Sequence, residues 1–210
     1  MINQIIAFSY AIFMLLPSTA QSRDISARDV VLQVKSCKFR FQDTLESLIT
    51  TPRKENDFQS AGYSAVVHIA SMEKTFGFNF SCHSQFRDEN EVAADYGGYL
   101  KPGQSKWISA FPGASPDEVS RLRKVTKTLP LISRNGRGFY TIQDETVGEP
   151  ARRVRHFSYC LFHKAQAICG DGEVKRLADT KSDMLPYALS ILRNIEFIDS
   201  PSASTKPTNP

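Results

Sequence analysis

The placement of four cysteines constrains this chain more than any other feature. Cys160 and Cys169 are spaced symmetrically about Lys164-Ala165, and the segments on either side, Arg152 to His163 and Gln166 to Cys169, read as two strands. A two-residue loop there sets 163 opposite 166, 162 opposite 167, 161 opposite 168, and Cys160 opposite Cys169. Counted outward from the loop, the cysteines fall on a non-hydrogen-bonded pair, the position at which side chains approach most closely and a cross-strand bridge fits. Lys-Ala is a poor dipeptide for a type I′ loop, but a four-residue turn keeps the same register.

Elimination then pairs Cys37 with Cys82, and the surrounding pattern agrees. Phe76, Phe78, Phe80 and Cys82 alternate with Thr75, Gly77, Asn79 and Ser81, so they share one strand face. Cys37, Phe39 and Phe41 share another. Side by side in one sheet, these strands would put Phe39 next to Phe80 and Phe41 next to Phe78. Facing each other across two layers is the other arrangement open to them. The alternatives to two bridges are buried free thiols or a zinc site, and the latter lacks both C-x-x-C spacing and a nearby His-x3-5-His pair.

Disulfides require an oxidising compartment, and the N-terminus reads as a route to one. Met1 to Ala20 carries no charged side chain, and Ile5 to Leu16 is an apolar run broken only by Ser9. That run is shorter than the roughly 20 residues that span a bilayer. Followed by Pro17-Ser18-Thr19-Ala20, it predicts a signal peptide over residues 1–20 with cleavage after Ala20. An uncleaved anchor is the competing reading, and the segment lacks the usual Lys or Arg at its start. Residues 21–199 suit a single domain. Residues 200–210 hold no apolar side chain larger than Ala and predict a disordered tail. The formal charge of +4 is a mild excess for this size, which argues against a nucleic-acid partner.

Val30 to Phe41 reads as a first strand, and Gln42 to Ile49 as a short helix capped by Asp43 or Thr44. A polar loop, Thr51 to Asp57, precedes a hairpin of Tyr63–Ile69 and Thr75–Cys82 that turns near Met72-Glu73-Lys74. Asp88 to Tyr96 predicts a short helix stopped by Gly97-Gly98. Ser115-Pro116-Asp117-Glu118 is a capping-box start, with Val119, Leu122 and Val125 forming a stripe up to Leu129-Pro130. Asn135-Gly136 marks a turn before a strand at Gly138–Gln143, and Gly170-Asp171-Gly172 reads as another turn. A helix from about Ser182 to Asn194, with Leu185, Ala188, Leu189, Ile191 and Leu192 inward, leads to a last strand at Ile195–Ile198. Together these predict an α+β domain: a mainly antiparallel, disulfide-stapled sheet with two or three helices packed on it and both faces covered.

The chain lacks G-x-S-x-G, H-E-x-x-H, a P-loop and G-x-G-x-x-G. Cys82 and His83 look reactive, but neighbouring strand residues point to opposite faces. His68, His83, His156 and His163 are scattered. Asp171-Gly172-Glu173 is too short a loop for calcium. No cofactor, metal or catalytic residue is therefore expected. A histidine, His83 or His156, beside a carboxylate in a cleft would revive a hydrolase. Asn79-Phe80-Ser81 is a formal glycosylation sequon inside a core strand.

Loops carry function on small scaffolds, which points to two stretches. Tyr96 to Pro116 offers Tyr96, Tyr99, Trp107 and Phe111, aromatics of the kind found in binding hot spots. Trp107 reads either as a contact residue or as a cap on the core. Arg134 and Arg137, with the charged run from Glu145 to Arg155, form the second.

The closing segment, Arg153 to Cys169 followed by Leu185 to Phe197, resembles the end of exported bacterial PsbP/MOG1/DcrB-like domains, which implies a helix leading into a final strand beside an antiparallel sheet. In size and plan the chain also resembles periplasmic immunity proteins that neutralise type VI secretion toxins. That resemblance implies a non-enzymatic, periplasmic or secreted binding protein with a cognate toxin as partner and no stable membrane insertion. An accessory envelope or stress protein that binds a small molecule, lipid or assembly partner is the alternative.

Overall fold

The computed structural model describes residues 27–51, 60–69 and 72–199. The expected signal peptide, most of the expected polar loop, and the C-terminal tail lie outside those residues. Among the described residues the fold is α+β: three antiparallel sheets and three short helices, stapled by Cys37–Cys82 and Cys160–Cys169.

The first strand is in fact two. β1 (Arg28–Val34) turns back through Lys35-Ser36 into β2 (Cys37–Asp43), with Val34 opposite Cys37. Lys35 adopts φ +51°, the left-handed conformation that a two-residue hairpin loop demands. The expected helix over 42–49 is instead β3 (Glu46–Thr50), paired with β4 (Ser60–Ile69). Asp43 does not cap a helix. Its buried carboxylate accepts from the Tyr63 hydroxyl at 2.9 Å, the Leu45 amide at 3.1 Å and Arg28 at 3.0 Å, and it also binds the Ser47 hydroxyl. That node holds β3 extended.

β4 forms the expected hairpin with β5 (Met72–Ser84). α1 (Glu89–Ala93) runs into a 3-10 turn at Ala94–Tyr96 that Gly97 ends with φ +76°. A small ribbon follows, β6 (Gly98–Leu100) with β7 (Trp107–Ser109). α2 (Pro116–Leu122) starts at the expected Ser115–Glu118 capping box. It does not reach Leu129-Pro130: Thr126–Ile132 is β8, an edge strand, the place where a proline without an N–H is tolerated. β9 (Arg137–Asp144), β10 (Val154–His163) and β11 (Gln166–Arg176) complete a meander.

The expected turn at Gly170-Asp171-Gly172 lies inside β11 instead. A Cβ on Gly170 would sit 1.8 Å from the Asn79 carbonyl oxygen, and one on Gly172 would sit 2.3 Å from that of Gly77. These glycines let β11 run against β5; they do not reverse the chain. The hairpin register matches the expectation pair for pair, Cys160 opposite Cys169 included. α3 (Leu185–Arg193) then delivers β12 (Glu196–Phe197) to β2.

The large sheet has the order β3-β4-β5-β11-β10-β9-β8, and β1-β2-β12 forms a second layer against it. Cys37–Cys82 therefore bridges two layers, the second of the two arrangements open to it. Between the layers, on what we term the front face, Phe39 meets Phe80 at 5.2 Å and Tyr63 meets Phe78 at 5.0 Å. Phe41 lies against Phe80 at 5.8 Å. α3 closes this core with Ala188, Leu189, Ile191 and Leu192.

The rear face carries a second, smaller core. Trp107 packs on Phe139 at 4.6 Å and stacks on Phe162 at 5.6 Å, over the Cys160–Cys169 bridge. No helix among the described residues is long and apolar enough to cross a membrane. The two disulfides fit a non-reducing, extracytoplasmic environment.

Candidate functional site

In an antiparallel sheet, directly opposed residues project to the same face, so each register pair extends into a rung across the strands. On the rear face the rung Phe139–Cys160–Cys169 is apolar and covered by Trp107. Two residues further along, the chemistry changes. Thr128, Thr141, Ser158 and Asp171 form one rung, and Thr126, Gln143, His156 and Glu173 the next. These two polar rungs, Thr128 excepted, floor an open cleft of about 680 Å³.

One wall is the segment Ala94–Gly97. The Ser158 hydroxyl donates to the Tyr96 carbonyl at 2.7 Å, and that of Thr141 to the Gly97 carbonyl at 3.3 Å, so the floor itself holds the wall in place. The other wall is Ala110–Pro112 and Ala114 together with Leu122 of α2. A second hollow of about 610 Å³ shares Pro112, Ala114, Leu122, Gln143 and His156 with the first, which makes one continuous groove.

Three carboxylates line the main cleft: Asp95, Asp171 and Glu173. No lysine or arginine among the described residues lines it. Asp171 accepts from the Asn79 amide nitrogen at 2.8 Å. The Asp95 and Glu173 side chains make no hydrogen bond or ion pair among the described residues.

At the junction of the two hollows, His156 Nε2 lies 2.9 Å from Glu145 Oε1. That bond, together with the Val154 amide, holds the Glu145 carboxyl below its usual range. Beside it, the Arg155 guanidinium does the same to Asp144. His83 instead meets the Tyr96 hydroxyl at 3.0 Å, and burial pushes its imidazole below the ordinary histidine value. Burial likewise pushes the Tyr96 phenol up. Among the described residues, no three His, Cys, Asp or Glu side chains are grouped to hold a metal ion.

The structure divides the sequence-selected residues. Tyr96 and Phe111 line the cleft. Tyr99 is partly exposed on β6, away from the cleft lining. Trp107 is 6 % exposed and occupies the rear core, the second of the two roles open to it.

Arg134 and Arg137 lie at the far end of the β8–β9 hairpin. Arg134 is 3.6 Å from Glu196, and Arg137 3.0 Å from Glu89. Between them, Asn135 exchanges hydrogen bonds with the Phe197 backbone, so this corner clasps β12. The sequence reading passed over Asp95, Thr141, Gln143, Ser158 and the strand role of Asp171 and Glu173. The available signal was the disulfide register: extending it outward from Cys160–Cys169 gives 158 opposite 171 directly.

Comparison with protein families, curated proteins and solved structures gives no match. The cleft is therefore read from its own chemistry. It offers a preformed, acidic and hydroxyl-rich floor beneath partly apolar walls. His156 beside Glu145 meets the condition that would revive a hydrolase. The nearest hydroxyl on its strand, Ser158, has its proton directed to the Tyr96 carbonyl.

Proposed function

We propose that the protein is a non-enzymatic exported binding protein, most specifically a periplasmic immunity protein that binds and blocks a toxin delivered by type VI secretion. The observation that carries this reading is the open rear cleft. Its floor is set on a sheet stapled next to it by Cys160–Cys169, and its wall is tied down by Ser158 and Thr141. A site already fixed in shape loses little conformational freedom when a partner docks, and so favours tight association. The apolar signal-like segment and the likeness in size and plan to periplasmic immunity proteins support the same reading.

The test is to co-express the chain with the product of any candidate toxin gene found beside its own. A complex stable through gel filtration, together with protection of the cell, is the expected result. Neither complex nor protection would end the proposal.

The cleft volume also falls within the range of about 300–1,000 Å³ typical of small-molecule sites, which favours an accessory envelope protein as the second reading. Native mass spectrometry of the purified chain separates the two, since a bound small molecule adds mass. The His156–Glu145 pair is what an enzymatic reading would use. Hydrolysis of ester or amide substrates that disappears in His156→Gln would replace the binding proposal.

A further inference from the structure

Built on the binding reading, one deeper assignment concerns what the cleft receives. We infer that the rear groove is the seat for a basic, extended segment of the partner protein, whose Lys or Arg heads reach the carboxylates on the floor. Four observations converge. The protein as a whole carries a formal charge of +4, yet the main cleft is lined by Asp95, Asp171 and Glu173 and by no lysine or arginine among the described residues. Two of those carboxylates, Asp95 and Glu173, have no hydrogen-bond or ion-pair partner among the described residues.

The floor also contains an unanswered polar group. Thr126 lines the cleft and is 8 % exposed, and its hydroxyl has no hydrogen-bond partner among the described residues. It projects to the same side of β8 as Thr128, whose hydroxyl meets that of Thr141 on the rear face. A buried hydroxyl left unpaired costs stability, so a ligand seated above it gains by drawing it into a hydrogen bond.

Finally, the two hollows join end to end past His156, giving a groove longer than a single side chain needs. Phe111 and Leu122 on the wall suit the hydrocarbon stems of Lys and Arg, which lie along apolar surface while their heads reach charge. The second hollow carries a cation of its own, Arg121, and its acidic groups are already engaged: Glu118 by Ser115, Asp144 by Arg155 and Glu145 by His156. The cationic heads therefore belong over Asp95, Asp171 and Glu173.

The probe is a fluorescein-labelled decapeptide alternating lysine and leucine, with a glutamate–leucine decapeptide as its counterpart. Binding is read by anisotropy on the chain as the cell processes it. The lysine peptide is expected to bind saturably and to weaken with salt, as ion pairs do, while the acidic peptide does not bind. Asp171→Asn combined with Glu173→Gln removes two charges at constant shape and should weaken binding about tenfold or more. Asp117→Asn combined with Glu46→Gln, two exposed carboxylates outside the cleft, should leave it unchanged. Should the floor variant fail to fold, Phe111→Ala on the wall tests the same groove and should also weaken binding.

Equal binding by the floor variant overturns the assignment. So does the absence of any binding by the unaltered chain up to about 1 mM peptide. Spermidine that binds as tightly as the peptide and displaces it would make this a polyamine site, which equally overturns it. If the neighbouring toxin binds the floor variant as well as it binds the unaltered chain, the groove assignment fails while the immunity proposal stands. If peptide binding follows the floor charges but no toxin complex forms, the reverse holds.

Discussion

The two faces of the large sheet differ by a shift of a single residue along the strands. Ile142, Phe157, Gly172, Phe78 and Tyr63 form a front-face rung of aliphatic, aromatic and glycine residues that meets a charge only at the β8 edge, in Lys127. The adjoining rear-face rung is Gln143, His156 and Glu173. The front face is covered by β1-β2-β12 and α3 over its centre, where Phe78, Phe80, Phe157 and Tyr159 are buried, and opens toward the β8 edge, where Leu129 is exposed. The rear face is sealed only where Trp107 covers Phe139, Phe162 and the cystine. One face thus holds the fold together, while the other trades part of its burial for an accessible polar floor.

The largest effect expected from breaking this contrast is on the front. Phe80 is fully buried between both layers, and Phe80→Ala should cost about 4 kcal/mol, as large-to-small changes of aromatic core residues do. Urea denaturation measures it, and a loss below about 1 kcal/mol would show that the front core is not the main support. On the rear, Trp107→Ala should cost less, about 3 kcal/mol, because the indole sits at the margin of a smaller cluster. Trp107 is the sole tryptophan, so its fluorescence reports the rear core alone. Coincidence of that signal with circular dichroism during unfolding of the unaltered chain would show that the two faces melt as one unit.

Ser158→Ala sharpens the comparison at the floor. It leaves the Tyr96 carbonyl without its donor and should cost about 1 kcal/mol. Hydrogen exchange at residues 94–97 should quicken, whereas exchange in β4 and β5 should not.

The smallest effect is on pH dependence. Burial holds the folded His83 pKa below its unfolded value, so the unfolded chain takes up a proton first as pH falls. The stability that the neutral form provides is intact above about pH 6.5 and declines below it, down to the folded pKa. His83→Gln should flatten stability between pH 7 and 5. An unchanged slope would mean that His83 is not the group responsible.

Much of this was legible in the residues. The Cys160–Cys169 register followed from counting about Lys164-Ala165, and the Cys37–Cys82 bridge by elimination, with the aromatic rows around it in agreement. The β1–β2 turn also left a mark: buried positions run 30, 32, 34 and then 37, 39, 41, a change of parity that a two-residue loop produces.

The failures came from residues with two physical uses. Asp43 suits a helix cap as well as a buried node for Tyr63 and Arg28, and only the tertiary partners decide between them. Gly170 and Gly172 suit a turn as well as a close approach of β11 to β5. Choosing the turn stopped the strand short and hid the floor of the cleft. Pro130 ended a helix on paper but lies in an edge strand. Trp107 could not be assigned to core or surface without knowing what lay beneath it.

The bridges join cysteines that are neighbours in chain order, the first to the second and the third to the fourth. A thiol oxidant that meets the chain from its N-terminus onward finds each correct partner before a wrong one is available. Oxidative maturation can then proceed without reshuffling by an isomerase, and the slow exchange that scrambled pairings impose is avoided.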